Sequence, residues 1–204
     1  MGYYKDHVPR SRCGIETGMK FDTFQNAIVF RNVFEDLSGF IEEQKRKPLH
    51  DSGVITANIG GYDNNIRESK QVNVNHDNPI VKQVREVSKF ANENYFKINI
   101  SQYAKENHFV QYDNGGKFEK HADTIWNADV NDLDKKPVRK LSCITLLNDD
   151  FTGGKLALWY TGKRYSFPFN AGDVIFFPSY IQHKVDPVES GVRYSLVSWS
   201  HGEF

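Results

Sequence analysis

Residues 171–199, AGDVIFFPSYIQHKVDPVESGVRYSLVSW, run an apolar strand up to a histidine, turn, and come back as a second strand. The block Val174 to Phe177 is continuously apolar and bounded by turn residues, as expected of a strand buried on both faces. It delivers His183. The segment DPVESG then has the composition of a turn. In the returning VRYSLVSW, side chains two apart share a face, which sets Arg193 and Ser195 side by side.

The same period of two recurs upstream. It is found in YFKINIS, with Phe96, Ile98 and Ile100 alternating, and in NHFVQYD, KLSCITLLN, GKLALWY and RYSFPF. DNGG, DDFTGG and NAGD punctuate these runs as turns or bulges. Before residue 96 the pattern differs. QNAIVFRNVF reads as a short strand, and FEDLSGFIEEQKRK reads as a helix with Leu37, Phe40 and Ile41 on one face. Asn78 as cap and Pro79 at the first position open a second helix whose stripe is Ile80, Val84, Val87 and Ala91. Residues 48–77, rich in Asn, Gly and Asp, read as loops with short strands on a rim. Two helices followed by about seven or eight strands predict an α+β chain whose β part is a sandwich or barrel, a jelly roll being one such form.

A chain of 204 residues is enough for one sizeable core. The expected organisation is a single domain over 1–204, with a polar leader at 1–20, helical support and rim at 21–95, and a β-core at 96–204. The 26 basic residues balance the 26 acidic ones, which argues against nucleic acid or an anionic membrane as partner. Two cysteines, Cys13 and Cys143, make no disulfide framework. The first twenty residues hold no apolar stretch of the secretory kind, and no run is long enough to span a bilayer. These features predict a cytoplasmic protein; oligomeric state is not encoded in them.

KFEKHADTIW, residues 117–126, places His121 and Asp123 on alternate positions, so a strand presents both to one side. A mononuclear iron(II) centre that must leave positions open takes two histidines and one carboxylate. Of the remaining histidines, His183 is the best third ligand, and His50, His76, His108 and His201, having no partner pattern, read as solvated or structural. Arg193, ten residues beyond His183, offers a fork for a carboxylate, with the Ser195 hydroxyl two residues on.

YDNGGKFEKHAD, LNDDFTGGKLAL, AGDVIFFPS and HKVDPVESGVRYSLVSW together resemble the signatures of the Fe(II)- and 2-oxoglutarate-dependent dioxygenases, in their prolyl 4-hydroxylase-like branch. The resemblance covers roughly residues 96–200 and extends more loosely to 24–45 and to IRESKQVNV. It implies a cupin-like double-stranded β-helix with the N-terminal helices packed on one sheet. It makes His121, Asp123 and His183 the iron ligands and pairs Arg193, helped by Ser195, with the distal carboxylate of 2-oxoglutarate. Tyr112 becomes a cosubstrate contact, and Arg67 and Trp126 fall on the substrate rim. One departure is Leu146, where some prolyl hydroxylases carry a tyrosine two residues before the position of Asn148.

The implied chemistry uses Fe(II), 2-oxoglutarate and O2, with ascorbate as a reductant, and yields succinate, CO2 and a hydroxylated product. A prolyl residue in a peptide or protein is the expected substrate. The alternatives are a free amino acid, a nucleobase or another small molecule, and, outside catalysis, a metal-binding β-sandwich. The polar insertion TIWNADVNDLDKKPVR reads as a flap over the mouth. Lys135, Lys136, Arg139 and Lys140 within and beside it read as a solvated loop.

Overall fold

The computed structural model describes residues 20–52, 54–56, 61–63, 65–124 and 137–203, with the backbone alone for 54–56 and 61–63. The described residues open with a hairpin, β1 (Lys20–Phe24) and β2 (Ala27–Arg31), followed by α1 (Ser38–Lys45). Five short strands come next: β3 (His50–Asp51), β4 (Val54–Thr56), β5 (Gly61–Asp63), β6 (Arg67–Glu68) and β7 (Lys70–Asn73). After α2 (Pro79–Ala91) come β8 (Gln102–Tyr112), β9 (Lys117–His121), β10 (Val138–Leu146), β11 (Thr152–Gly153), β12 (Leu156–Tyr160) and β13 (Lys163–Ser166). The last four are β14 (Val174–Pro178), β15 (His183–Val185), β16 (Val188–Ser190) and β17 (Arg193–Gly202).

Two antiparallel sheets dominate, ordered β1-β2-β14-β10-β17-β8-β7-β3 and β13-β12-β15-β9-β6. From β8 onward the chain passes back and forth between them: β8, β10, β14 and β17 lie in the larger sheet, and β9, β12, β13 and β15 in the smaller. This is the winding of a double-stranded β-helix. Closing two sheets over each other buries one face of each, and the period-two runs supply the side chains for it. Val110, Tyr112, Ile144, Ile175 and Phe177 from the larger sheet meet Leu156, Leu158 and Val185 from the smaller.

The opposite face of the larger sheet is covered by the helices. Phe40 of α1 and Val81, Val84, Val87 and Ala91 of α2 pack with Phe109, Leu141, Cys143, Phe176 and Leu196. Asn78 caps α2, its Oδ1 accepting from the Ile80 amide at 2.9 Å. Val84, Val87 and Ala91 are buried as expected, and Val81 takes the place of Ile80, which is only partly buried. Of the described residues, none lies in a helix long and apolar enough to cross a membrane.

Two expectations change. The segment YFKINIS is not a strand. A π-helical turn, Asn92–Phe96, ends α2, and Lys97 takes a left-handed conformation at φ 55°. The Asn92 amide then satisfies the next stretch of backbone, donating to Ile98 O and accepting from Ile98 N, both at 2.9 Å. Phe96, Ile98 and Ile100 still pack on the core, which is why their spacing imitates a strand. Residues before 96 also do more than support, since β1 and β2 extend one edge of the larger sheet and β7 and β3 the other. The Asp173 carboxylate locks that first edge, accepting from Arg31 at 2.7 Å and from the Asn32 amide at 2.9 Å. Gly172 beside it, at φ +82°, leaves no room for a side chain, because a Cβ there would lie 2.1 Å from Phe34 O.

Candidate metal centre

Strand β15 pairs with β9 so that His183 stands opposite His121, and the register slips immediately beyond this pair. The imidazoles are cross-strand neighbours with centroids 4.2 Å apart. Asp123 lies just past the end of β9, where the amides of Asp123 and Thr124 both donate to Ser179 O, at 2.9 and 3.1 Å. The chain is thereby turned to aim the carboxylate back at the histidines. Asp123 Oδ1 lies 3.5 Å from His121 Nε2, and Asp123 Oδ2 lies 3.5 Å from His183 Nε2. The three ligand atoms fall within 4.8 Å of one another, and no other such His/Cys/Asp/Glu group occurs among the described residues.

The rings are fixed in one tautomer. His121 Nδ1 faces Glu119 O at 2.7 Å and His183 Nδ1 faces Ile181 O at 3.0 Å. A carbonyl only accepts, so each Nδ1 carries the hydrogen and each Nε2 keeps its lone pair for a metal. Burial pushes the His183 imidazole down to about 4, helped by His121 and opposed by Asp123, so it is neutral at pH 7. Burial works against the charge on Asp123. The neighbouring imidazoles and the Ser142 hydroxyl, donating to Oδ2 at 2.7 Å, outweigh it and hold the carboxyl well below the usual range. Two imidazole nitrogens and one carboxylate on one side, with no further ligand of this kind beside them among the described residues, fit a divalent iron ion that keeps open positions.

Arg193 opens β17 opposite Tyr112 of β8 and is 1% exposed. The guanidinium donates to Ser195 Oγ at 3.1 Å and lies 5.4 Å from the Tyr112 ring centroid. It makes no ion pair with any carboxylate among the described residues. Burial lowers its pKa, because taking the cation out of water disfavours its charge. The Gly-Gly turn presses on it: Gly154 has φ +56°, and a Cβ there would sit 3.0 Å from Arg193 Cδ. Leu146 is buried opposite Ser195, so this part of the wall is apolar. Asn148 anchors the start of β17, donating to Val192 O and accepting from the Tyr194 amide, both at 2.7 Å.

Arg67 lies on β6 opposite Phe118, its guanidinium 4.7 Å from that ring, which in turn stacks on His121 at 3.5 Å. Trp126, Lys135, Lys136 and most of the flap lie outside the described residues. Arg139 and Lys140 depart from the loop reading, since both belong to β10. Arg139 stacks 3.8 Å over Trp199 and pairs with Glu106 Oε2 at 2.5 Å. His201 Nε2 approaches Glu106 Oε1 at 2.8 Å, and His108 meets the Trp199 ring edge-on at 5.1 Å. His201 and then Arg139 hold Glu106 down to about 2 against the cost of burial. Hence His108 and His201 are parts of an organised polar cluster. The period of two held the signal: His108 shares a face with Tyr112, and Trp199 with Arg193 and Ser195.

Residues 107–201 match the family described as the 2OG-Fe(II) oxygenase superfamily. A PKHD-type hydroxylase of Aliarcobacter butzleri is 26% identical over 160 residues, covering 76% of this chain and 70% of that protein. One from Synechococcus elongatus is 26% identical over 148 residues, covering 70% of this chain and 64% of that protein. Among solved structures, a Pseudomonas putida prolyl-4-hydroxylase superposes with a TM-score of 0.67 at 18% identity, over 88% of this chain and 94% of that one. A Trichoplax adhaerens prolyl hydroxylase, solved with a peptide fragment of the hypoxia inducible factor oxygen degradation domain, gives 0.63 at 17%, over 86% and 83%. At these identities the structures speak for the fold.

Proposed function

We propose that this chain, whose residues 107–201 match the 2OG-Fe(II) oxygenase superfamily, is an Fe(II)- and 2-oxoglutarate-dependent dioxygenase that hydroxylates a prolyl residue in a peptide or protein. His121, Asp123 and His183 hold the iron in this reading. Arg193, with Ser195, takes the distal carboxylate of 2-oxoglutarate, and Tyr112 forms the floor beneath it. Bound together, iron, 2-oxoglutarate and O2 supply oxidative decarboxylation to succinate and CO2 and the transfer of one oxygen atom into a substrate C–H bond.

The chain's own part is positional. The Nδ1 hydrogen bonds and Ser142 orient the ligands before any ion arrives. Leu146 and Val110, both paired with Ser195, and Ile144 beside them are buried, and in this reading they keep water from the cosubstrate. Glu106, Arg139, Trp199, His108 and Arg67 form the polar mouth that meets the substrate. The prolyl assignment draws its support from the PKHD-type hydroxylases and prolyl hydroxylases that the chain resembles. A reducing compartment such as the cytoplasm suits the free, buried Cys143.

The observation that carries the reading is the pairing of a two-histidine, one-carboxylate group, with Asp123 and His183 buried and His121 half-buried, with a buried arginine that has no counter-ion of its own among the described residues. Purified protein supplied with iron, ascorbate and 2-oxoglutarate is expected to release succinate, and His183→Ala to abolish it. Equal turnover in that variant would refute the metal assignment. On a prolyl peptide library, mass spectrometry should show a gain of about 16 Da on proline, the mass of one inserted oxygen. A gain on small molecules alone would move the substrate to that class.

A further inference from the structure

The inner face of the larger sheet forms rows that lead outward from Arg193. Arg193 pairs with Tyr112, Ser195 with Val110, Val197 with His108, and Trp199 with Glu106. His108 therefore stands four residues from Tyr112 toward the mouth, roughly 13 Å along an extended strand. Its ring edge rests on Trp199, whose face carries the Arg139 guanidinium. Arg67 approaches from the smaller sheet, above the Phe118 ring that stacks on His121. His108 Nδ1 is buried without a hydrogen-bond partner. Burial first, then the charges of Arg139 and Arg67, push its pKa down to about 4 against the pull of Glu106. The imidazole is thus neutral at pH 7, with one donor and one acceptor to offer.

A neutral donor–acceptor pair matches a peptide amide rather than an ion. The nearby charges do not cancel. Arg139 is neutralised by Glu106, whereas Arg67 hydrogen-bonds to Ser69 and Gln71, with no carboxylate among the described residues. Resting on the function proposed above, we infer that His108 is a specificity-determining residue: it hydrogen-bonds the substrate main chain beside the target residue, and Arg67 next to it biases the mouth toward peptides that are neutral or acidic there. A lysyl neighbour brings a like charge within several ångströms of Arg67 in a half-desolvated site, enough to cost about tenfold in kcat/KM.

The test uses capped peptides Gly-Xaa-Pro-Xaa-Gly with Xaa as Glu, Ala or Lys, scored for hydroxyproline. The Lys peptide is expected to be about tenfold poorer than the Glu peptide, and Arg67→Gln to narrow the gap. His108→Leu, close in size but without polar atoms, should raise peptide KM about tenfold, and His108→Gln, which keeps a donor and an acceptor, should recover most of that loss. Melting curves with and without metal check that the variants fold; if His108→Leu does not, His108→Phe, which also lacks polar atoms, takes its place. Equal rates for Lys and Glu peptides, a His108→Leu protein with unchanged KM, or a Gln variant as poor as Leu would each overturn the inference. So would the absence of any modified peptide while 2-oxoglutarate is still converted to succinate. No succinate at all would instead bring down the oxygenase reading itself.

Discussion

Ser142 shows how much of the candidate metal centre depends on a side chain outside the ligand group. Its hydroxyl donates to Asp123 Oδ2 at 2.7 Å and lies 2.9 Å from Ser179 Oγ, all of it buried. Ser142→Ala leaves a carboxylate free to rotate from its aim, and divalent-ion affinity is expected to fall about 10–100-fold with little change in melting temperature. Titration with Mn(II) checks this, and unchanged affinity would mean that backbone geometry alone holds Asp123. Gly154 does the same for Arg193, the residue proposed to hold the cosubstrate. Gly154→Ala adds a Cβ 3.0 Å from Arg193 Cδ at φ +56°, and should raise the KM for 2-oxoglutarate about tenfold. Gly115→Ala, at φ +84° in open space, carries backbone strain without that contact. If both variants behave alike, strain and not the arginine is responsible. His121, Asp123, His183 and Arg193 were visible in the sequence because each carries its chemistry at a recognisable spacing. Glu106, Arg139 and His201 were not, because each is an ordinary residue until three strands bring them together.

Helix α2 and the turn that ends it differ in how plainly they are written. Asn78 followed by Pro79 is a local start signal, and the helix begins there. The π-helical turn has no comparable pattern, so the alternating Phe96, Ile98 and Ile100 passed for a strand. What ends the helix is a long-range reach by one side chain: Asn92 clasps both backbone groups of Ile98 and also donates to Tyr103 Oη at 2.9 Å. The two asparagines should therefore differ in consequence. Asn78→Ala loses one cap and is expected to cost about 1 kcal/mol. Asn92→Ala strands a backbone donor and acceptor and should cost about 3 kcal/mol. Urea melts monitored by circular dichroism compare them; an Asn92→Ala protein as stable as Asn78→Ala would show that water satisfies Ile98 without loss. Neither helix-end residue touches the candidate centre, so kcat should survive both substitutions wherever the protein is folded.

Closing two sheets over a polar interior makes the whole molecule sensitive to acid, and the direction follows from which groups the closure buries. The sheet winding could be anticipated from the number and spacing of period-two runs, but which polar side chains it would enclose could not, since that depends on register between distant strands. His108 and His183 both stand at about 4 in the folded chain against an ordinary 6.5. Between those values the unfolded chain holds protons that the folded chain refuses, so stability is full above pH 6.5 and is lost as the pH falls toward 4. Glu106, held at about 2 against an ordinary 4.5, extends the loss: its contribution is present above 4.5 and disappears as the pH falls toward 2. The metal-free protein should accordingly melt at a constant temperature from pH 8 to about 7 and at falling temperatures below about 6.5, steepening below 4.5. His108→Gln removes one of the two histidine contributions and should flatten the upper part of that curve without altering the lower. If iron binds at His183 as proposed, it competes with protons there, so the stabilisation added by metal should shrink over the same range. Melting temperatures recorded across pH with chelator and with added metal test both statements. A metal-free protein whose melting temperature stays level from pH 7 to 5 would mean that the imidazoles remain accessible to water, and with it the closed, desolvated interior on which the proposed chemistry depends would have to be given up.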